Sequence, residues 1–453
     1  MGTPTGWAVI AAVTLGSGLT LLDSTVVNVA LRIIGEDLDA DLAQLQWISN
    51  GYLLSLTSLI LLGGSLGDHF GRRRVFVIGT VWFALASLLC GLAPNPEVLI
   101  AARILQGAGG ALLTPGSLAI IQSVFVRDDR PPAIGAWSGL GGIAAAVGPF
   151  VGGGILELAS WRWIFLINLP LALLTVWLAL RHVPETVDPT ATRHFDVPGA
   201  VLAMVALGGL TYGLIEIGSP SAAPVAALGL VAAVAWVAVE RRAREPMLPL
   251  GIFRNRTFSA ANAMTLLMYA ALGAVLFFLV LQLQVVAGYG PLAAGTATLP
   301  ITVCMLLFAS RGGRFSTRAG PRIPLTLGPI VMGAGTAWQL NVDATASYWT
   351  TVLPGLTIFG LGLSLTVAPL TATVLAAAPE EHAGLASGVS NAVARSGSLL
   401  AVAALPPLVG LSGEEYADPL ALAPAYDAAM IACAALLVVG GLVSWVFIPR
   451  RVP

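Results

Sequence analysis

Apolar runs of about 20 residues recur along the whole chain, parted by short polar stretches. Each run is long enough to cross a hydrocarbon core of about 30 Å as a helix. They are too long for membrane-barrel strands and lack the period-2 alternation of such strands. Fourteen runs can be marked, at 7–31, 46–67, 75–93, 97–119, 133–156, 163–181, 197–217, 222–240, 258–284, 291–310, 322–340, 348–370, 384–410 and 425–448. The pattern predicts an all-α polytopic membrane protein with 14 transmembrane helices and both termini on one side. The first run follows an N-terminus with no positive region, so it reads as a span rather than a signal peptide. A myristoylation signal at Gly2 is not expected either, because Gly6 stands where Ser or Thr is needed.

Composition agrees: 57% of the residues are hydrophobic and 10% charged, where a soluble domain carries about 25% charged residues. All 22 basic residues are Arg. A Walker-type phosphate loop needs a Lys, so ATP-driven pumping by this chain alone is not expected. Eighteen of the arginines fall in the loops after runs 2, 4, 6, 8 and 10 or at the C-terminus, as in "GDHFGRRR" and "ERRARE". The opposite loops hold only Arg32 and Arg162 and carry acidic stretches such as "GEDLDAD" and "GEEYAD". By the positive-inside rule both termini are cytoplasmic. Cys90, Cys304 and Cys433 lie in apolar runs and read as core residues. His69, His182, His194 and His382 read as loop residues. Neither set has the spacing of a metal site or a disulfide framework.

The chain also repeats. "GDHFGRRR" after run 2 is echoed by "GGRFSTRAGPR" after run 10, at an offset of 249 residues. "QGAGGALLTPG" in run 4 is echoed by "FGLGLSLTVAP" in run 12. Runs 1–6 thus correspond to runs 9–14. The expected organisation is an N-terminal six-helix half (1–182), two inserted helices with linkers (183–250) and a C-terminal six-helix half (251–453). Two parallel repeats place a substrate path at their interface near the bilayer midplane.

Several stretches go beyond composition. "GSLGDHFGRRRV" reads as a tight turn with Gly67 and Gly71, in which Asp68 among three arginines can latch one conformation through charge-assisted hydrogen bonds. In "RILQGAGGALLTPG", Arg103, Gly107, Gly110 and Thr114 share one helix face. The glycines permit close helix approach. Arg103 needs an acidic or carbonyl partner, unless it snorkels outward. "GAWSGLGGIAAAVGPFVGGGI" carries Gly148-Pro149, a kink in a small-residue helix suited to packing against the other half. Trp161 and Trp163 around Arg162 read as an interfacial aromatic anchor.

These motifs together resemble the major facilitator superfamily, in particular its fourteen-span drug:proton antiporter group, over nearly the whole chain. The motif G-x-L-a-D-r-x-G-r-r is matched by Gly64, Leu66, Gly67, Asp68, Gly71, Arg72 and Arg73, with His69 in place of the usual Arg. R-x-x-Q-G-x-G is matched by Arg103, Gln106, Gly107 and Gly109. The antiporter motif is matched by Gly135, Gly148, Pro149 and Gly152, with Ala144 replacing its second Gly. A first-span signature is matched from Asp23, Thr25 and Asn28 to Leu31, with Arg32 in place of Pro. "LQLQVVAGYGPLAAGTATLP" resembles the group's span 9–10 junction, with Gln284 matching and Gln282 where Tyr is common. The resemblance implies a major facilitator fold and export of small amphipathic molecules, usually drugs or antibiotics, driven by proton entry. It implies no cofactor beyond the proton gradient and no nucleic-acid partner. The expected setting is a monomer in the cytoplasmic membrane of a bacterium. A proton-coupled importer on the same fold is the alternative. No convergent nucleophile or metal cluster suggests an enzyme.

Polar stripes are candidates for substrate contact: Thr20, Asp23 and Ser24 in run 1, Asn262, Thr265 and Tyr269 in run 9, and Ser387, Asn391 and Arg395 in run 13. Each could instead be interhelical packing. Asp23 is the one deeply placed carboxylate, roughly 12 Å inside the end of its run at 1.5 Å per residue. Placing it there costs about 2.5–3.5 kcal/mol on insertion scales. Burial favours its protonated form, whereas a cation such as Arg103 favours the carboxylate. A group balanced between those effects can load and release a proton. A permanent structural Asp23–Arg103 pair is the alternative.

Overall fold

The computed structural model describes residues 3–126, 128–187, 196–243, 246–378 and 383–450, without the side chains of 131, 138–139, 142–146 and 383. Among the described residues the regular structure is helical throughout, with no strand. In lipid a helix satisfies its backbone groups internally, which is why apolar runs of this length fold so. The helices are α1 (Pro4–Leu38), α2 (Leu42–Phe70), α3 (Arg72–Gly91), α4 (Pro96–Val124), α5 (Arg130–Leu158), α6 (Trp163–Leu166), α7 (Asn168–His182), α8 (Val197–Ile215) and α9 (Ala222–Arg242). They continue with α10 (Arg256–Val285), α11 (Pro291–Ala297), α12 (Leu299–Ala319), α13 (Arg322–Trp338), α14 (Leu353–Ala376), α15 (Ala383–Leu408) and α16 (Pro419–Phe447).

Among the described residues, twelve stretches are long and apolar enough to cross a membrane, with α6–α7 and α11–α12 each making one. This is a multi-pass membrane protein, with twelve such stretches rather than the expected fourteen. The runs outside the twelve are those of α5 and α13. Within α5, Val147–Leu158 qualifies only as a shorter apolar helix. α13 has 17 residues, a rise of roughly 25 Å.

Helix ends differ from the runs for local reasons. α1 starts at a Thr3 cap and continues to Leu38, where Asp39 turns into the left-handed region at φ 54° and its N–H reaches the Gly35 carbonyl. Arg32, Glu36 and Asp37, expected in a loop, are therefore helical. The run at 163–181 breaks into α6 and α7 at Ile167. Pro170 lies in the first turn of α7, where its missing N–H costs little. His69 and His182 occupy the last turns of α2 and α7 rather than loops. His194 and His382 lie outside the described residues.

The chain divides into two compact units. One comprises Met1–Ala40, Trp47–Gly208 and Leu228–Met247, and its core gathers Tyr52, Phe76, Phe83, Leu113, Ile120 and Ile121. The other comprises Asp41–Gln46, Gly209–Ala227 and Leu248–Pro453, and buries Phe258, Phe278, Phe359 and Tyr426.

Glycine contacts recur in both units. A Cβ on Gly109 of α4 would lie 2.7 Å from the Phe83 nitrogen of α3. A Cβ on Gly362 of α14 would lie 2.6 Å from the Met332 nitrogen of α13. Gly79 and Gly328 complete the two contacts, each placing a Cβ within 3.0 Å of the opposite glycine carbonyl. Gly71, between α2 and α3, and Gly320, between α12 and α13, both have positive φ, at 108° and 81°. Gly67 is different: it is helical, and a Cβ there meets nothing within 4 Å.

Gly109→Ala is expected to cost about 1–3 kcal/mol by overpacking, whereas Gly67→Ala should gain about 0.5–1 kcal/mol of helix propensity. Thermal unfolding of the detergent-purified variants checks the pair: the first midpoint should fall and the second rise.

Candidate functional site

Asp23 lies near the middle of α1, roughly 28 Å from Pro4 and 22 Å from Leu38 at 1.5 Å per residue. The longer helix thus places it deeper than the sequence suggested. Arg103 enters from α4, whose start is set by Pro96 and by an Asn95 cap that accepts the Val98 N–H at 2.9 Å. Their side chains are 0% and 1% exposed and form a direct ion pair, Nη1 of Arg103 on Oδ2 of Asp23. Snorkelling of Arg103 is excluded by this burial.

The pair carries further hydrogen bonds on both partners. Gln106 Nε2 donates to Asp23 Oδ1 at 2.8 Å, and Asn168 Nδ2 donates to the same oxygen at 3.2 Å. Both amides also donate to Ser87 Oγ, at 3.1 and 3.0 Å, and Ser87 donates to the Phe165 carbonyl at 2.9 Å. Arg103 donates from Nε to the Ile48 carbonyl at 3.0 Å and from Nη1 to Gln106 Oε1 at 2.6 Å. Its guanidinium carbon is 4.4 Å from the centroid of the Tyr52 ring. Glycine makes that stacking possible. Gly107 approaches α2 so closely that a Cβ would overlap Ser55 Oγ and the Tyr52 carbonyl.

A buried ion pair is weak evidence for stability, because desolvating both charges offsets their attraction. Such pairs in membrane helices mark functional sites by default. The arrangement holds one carboxyl group away from water, with a cation and two amides donating to it and the Ser87 hydroxyl behind the amides. Ser87 and Asn168 were not singled out in the sequence. The one signal for Asn168 was an Asn inside an apolar run, just before Pro170.

The turn between α2 and α3 is Gly71 alone, not a loop with two glycines. Arg72 reaches back to Asp68 Oδ1, from Nε at 2.8 Å and Nη2 at 2.7 Å. Arg73 donates from Nη1 to the Val183 carbonyl at 3.2 Å. Glu185, missed in the sequence, accepts the backbone N–H of Arg73 and of Arg74 at 3.1 and 3.2 Å at the start of α3. Gly64 faces Pro115 at ordinary contact distance, 3.6 Å for a Cβ.

The Gly-Pro helix departs from expectation. Gly148 and Gly152 of α5 pack on α1 of their own unit: a Cβ on Gly148 would overlap Thr25 Oγ1, and one on Gly152 would lie 2.6 Å from Val26 Cγ1. Gly135 faces open space, and Pro149 lies inside the helix. The side chain of Ala144 lies outside the described residues. Trp161 is also not a lipid-facing anchor. It is 2% exposed and donates to Asp37 Oδ2 at 2.8 Å, where Arg162 joins at 2.9 Å. Trp163 is the exposed member.

The polar stripes are partly occupied by their own helices. Thr20 donates to the Ser17 carbonyl at 2.9 Å, and Thr265 to the Ala261 carbonyl at 2.8 Å. Asn262 donates to the Phe258 carbonyl at 2.9 Å, while its buried Oδ1 accepts nothing from the described residues. Gln284 is buried on α10, and Gln282 donates to the Val342 carbonyl at 2.8 Å. Tyr269 is joined to α15 through its carbonyl, which accepts Ser398 Oγ at 2.8 Å. Arg395, one turn earlier on α15, is half-buried. Asn391 is exposed and donates to Ser387 at 3.0 Å.

Residues 13–402 match the family model described as Major Facilitator Superfamily. The chain belongs to this superfamily. Among its relatives in the superfamily is the tetracenomycin C resistance and export protein of Streptomyces glaucescens, 34% identical over 404 residues, 88% of this chain and 75% of the relative. A puromycin resistance protein of Streptomyces alboniger is 32% identical over 465 residues, 99% of this chain and 92% of the relative. In fold the chain is similar to a POT family transporter solved with 5-aminolevulinic acid, with a TM-score of 0.74 at 14% identity, covering 99% of this chain and 96% of that one.

Arg103→Ala leaves the Asp23 carboxylate buried without its cation and is expected to cost about 3–5 kcal/mol. Asp23→Asn keeps an oxygen for Arg103 and should cost less. The midpoints of thermal unfolding, compared at one pH, check this order.

Proposed function

We propose that this chain is a proton-coupled secondary active exporter of small amphipathic molecules, antibiotics among them, working by alternating access. The observation that carries this reading is the buried Asp23–Arg103 pair inside a chain whose relatives are antibiotic resistance and export proteins. Asp23 takes the proton and Arg103 sets how readily it does so. The setting is the cytoplasmic membrane of a bacterium, with both termini in the cytoplasm, supported by the sorting of arginines between loops. The chain acts as a monomer.

Adding α5 and α13 to the twelve apolar stretches gives fourteen spans, the number of the drug:proton antiporter group. On this reading 1–182 and 251–453 are the two six-helix halves, and 183–250 brings the two inserted helices. Asp68 with Arg72, in a turn framed by Gly64, Gly71 and Arg73, latches one conformation of the cycle. The Gly135–Gly152 helix acts through its close seat on α1, where Gly148 and Gly152 bear on Thr25 and Val26, in the turn that follows Asp23. Thr20, Asn262, Tyr269, Gln284, Asn391 and Arg395 contact substrate. The unpartnered Asn262 oxygen is the strongest support among them. Among the described residues the buried carboxylates are Asp23, already paired, and Glu240 in the last turn of α9, so monocations, zwitterions and neutral compounds suit the site better than dications.

The test is a susceptibility panel in an efflux-deficient host expressing the chain, with puromycin and tetracenomycin C among the drugs. Resistance to at least one amphipathic antibiotic is expected, and Gly148→Leu should abolish it without loss of expression. An unchanged panel, or full resistance from Gly148→Leu, would contradict the reading.

A further inference from the structure

Arg311, Arg314 and Arg318 follow an i, i+3, i+7 spacing, so they share one face of α12 over roughly 10 Å at 1.5 Å per residue. All three are exposed. Arg322, the first residue of α13, follows across the Gly320 turn. Among the described residues none of the four makes an ion pair. The sequence offers no local counter-ion, since no Asp or Glu occurs from Gly290 to Val342. The corresponding turn of the other unit is neutralised from within: Arg72 pairs with Asp68 at 2.7 Å and Arg73 with Glu185 at 3.5 Å. In the repeat, 249 residues on, Asp68 is replaced by Thr317, whose hydroxyl donates to the Arg314 carbonyl at 2.8 Å.

Aromatic rings hold the outer two guanidiniums of this group. Arg311 lies 5.2 Å from the centroid of Phe308, and Arg322 lies 4.8 Å from that of Trp445 on α16. The Trp445 carbonyl accepts Nε of Arg322 at 2.6 Å, which leaves both terminal nitrogens of that fork without a described partner. One and two turns before Arg311, the same face of α12 carries the exposed side chains of Leu307 and Val303. We propose that the end of α12 and the start of α13 form a binding site for the headgroup phosphate of an anionic phospholipid. Arg314, Arg318 and Arg322 ligate the phosphate, and an acyl chain lies along Leu307 and Val303. Guanidinium forks match phosphate oxygens in pairs, and basic clusters at the end of a membrane helix attract anionic lipid. A free phosphate would leave the apolar part of the face unused, whereas a phospholipid matches both parts in order. A zwitterionic headgroup brings its own cation and gains less.

The experiment is a calorimetric titration of the purified full-length protein, in a nonionic detergent, with dioctanoyl phosphatidylglycerol. Saturable binding is expected, and dioctanoyl phosphatidylcholine should bind more weakly. Arg314→Gln combined with Arg318→Gln should raise the dissociation constant for phosphatidylglycerol roughly thirtyfold. Both side chains are exposed and bond no described residue, so this variant keeps its fold. Arg241→Gln combined with Arg242→Gln removes the same charge from the last turn of α9 and should leave the constant unchanged. Equal weakening by the two pairs would show a diffuse charge effect and overturn the site. Phosphatidylcholine bound as tightly as phosphatidylglycerol, or no saturable binding at all, would overturn it too. Inorganic phosphate bound as tightly as the lipid would overturn the lipid assignment in favour of the free anion.

Discussion

A carboxylate and a guanidinium placed together inside apolar helices constrain everything around them. Neither charge can stay there alone, so α1 and α4 must meet at one register, with Asp23 opposite Arg103. The remaining lone pairs and protons then need partners, which is why α3 brings Ser87, α4 also brings Gln106, and the α6–α7 break brings Asn168. Arg103 further requires an oxygen and a ring from α2, the Ile48 carbonyl and Tyr52. One buried ion pair thus dictates the contacts of five helices.

Meeting these demands requires backbones that approach closely, and glycine provides that approach. Gly107 lets α4 reach α2, and Gly109 with Gly79 lets it reach α3. Gly148 and Gly152 let α5 lie on α1 just beyond Asp23. A change in the charge of Asp23 alters what Gln106 and Asn168 can donate to, and tightly packed helices respond by repacking rather than by stretching. In this way a protonation at one atom can bias the arrangement of a whole unit.

Much of this was legible in the sequence because lipid imposes simple rules on it. Run length fixes helices. A lone Asp and a lone Arg in apolar runs invite pairing. The finer geometry was not legible, because it depends on partners distant in sequence. Asn168 gains meaning only when α7 is packed on α1 and α3, and Glu185 only when its segment reaches the start of α3. Trp161 reads as a belt residue in the sequence because nothing local shows that its partner, Asp37, lies on α1. The direction of the glycines of α5 could not be read from composition, since a small-residue face suits any close neighbour. The helix count turns on length: α13 has 17 residues, fewer than any of the twelve stretches that qualify.

The central claim is that Asp23 carries the coupling proton. Its most direct test compares wild type and Asp23→Asn in proteoliposomes, measuring efflux of an identified drug driven by a pH gradient and, separately, drug equilibration without one. The account predicts that the variant inserts, equilibrates drug down its own gradient and fails to concentrate it against one. Uphill, pH-driven efflux by Asp23→Asn at the wild-type rate would contradict the account and place the coupling proton on another group.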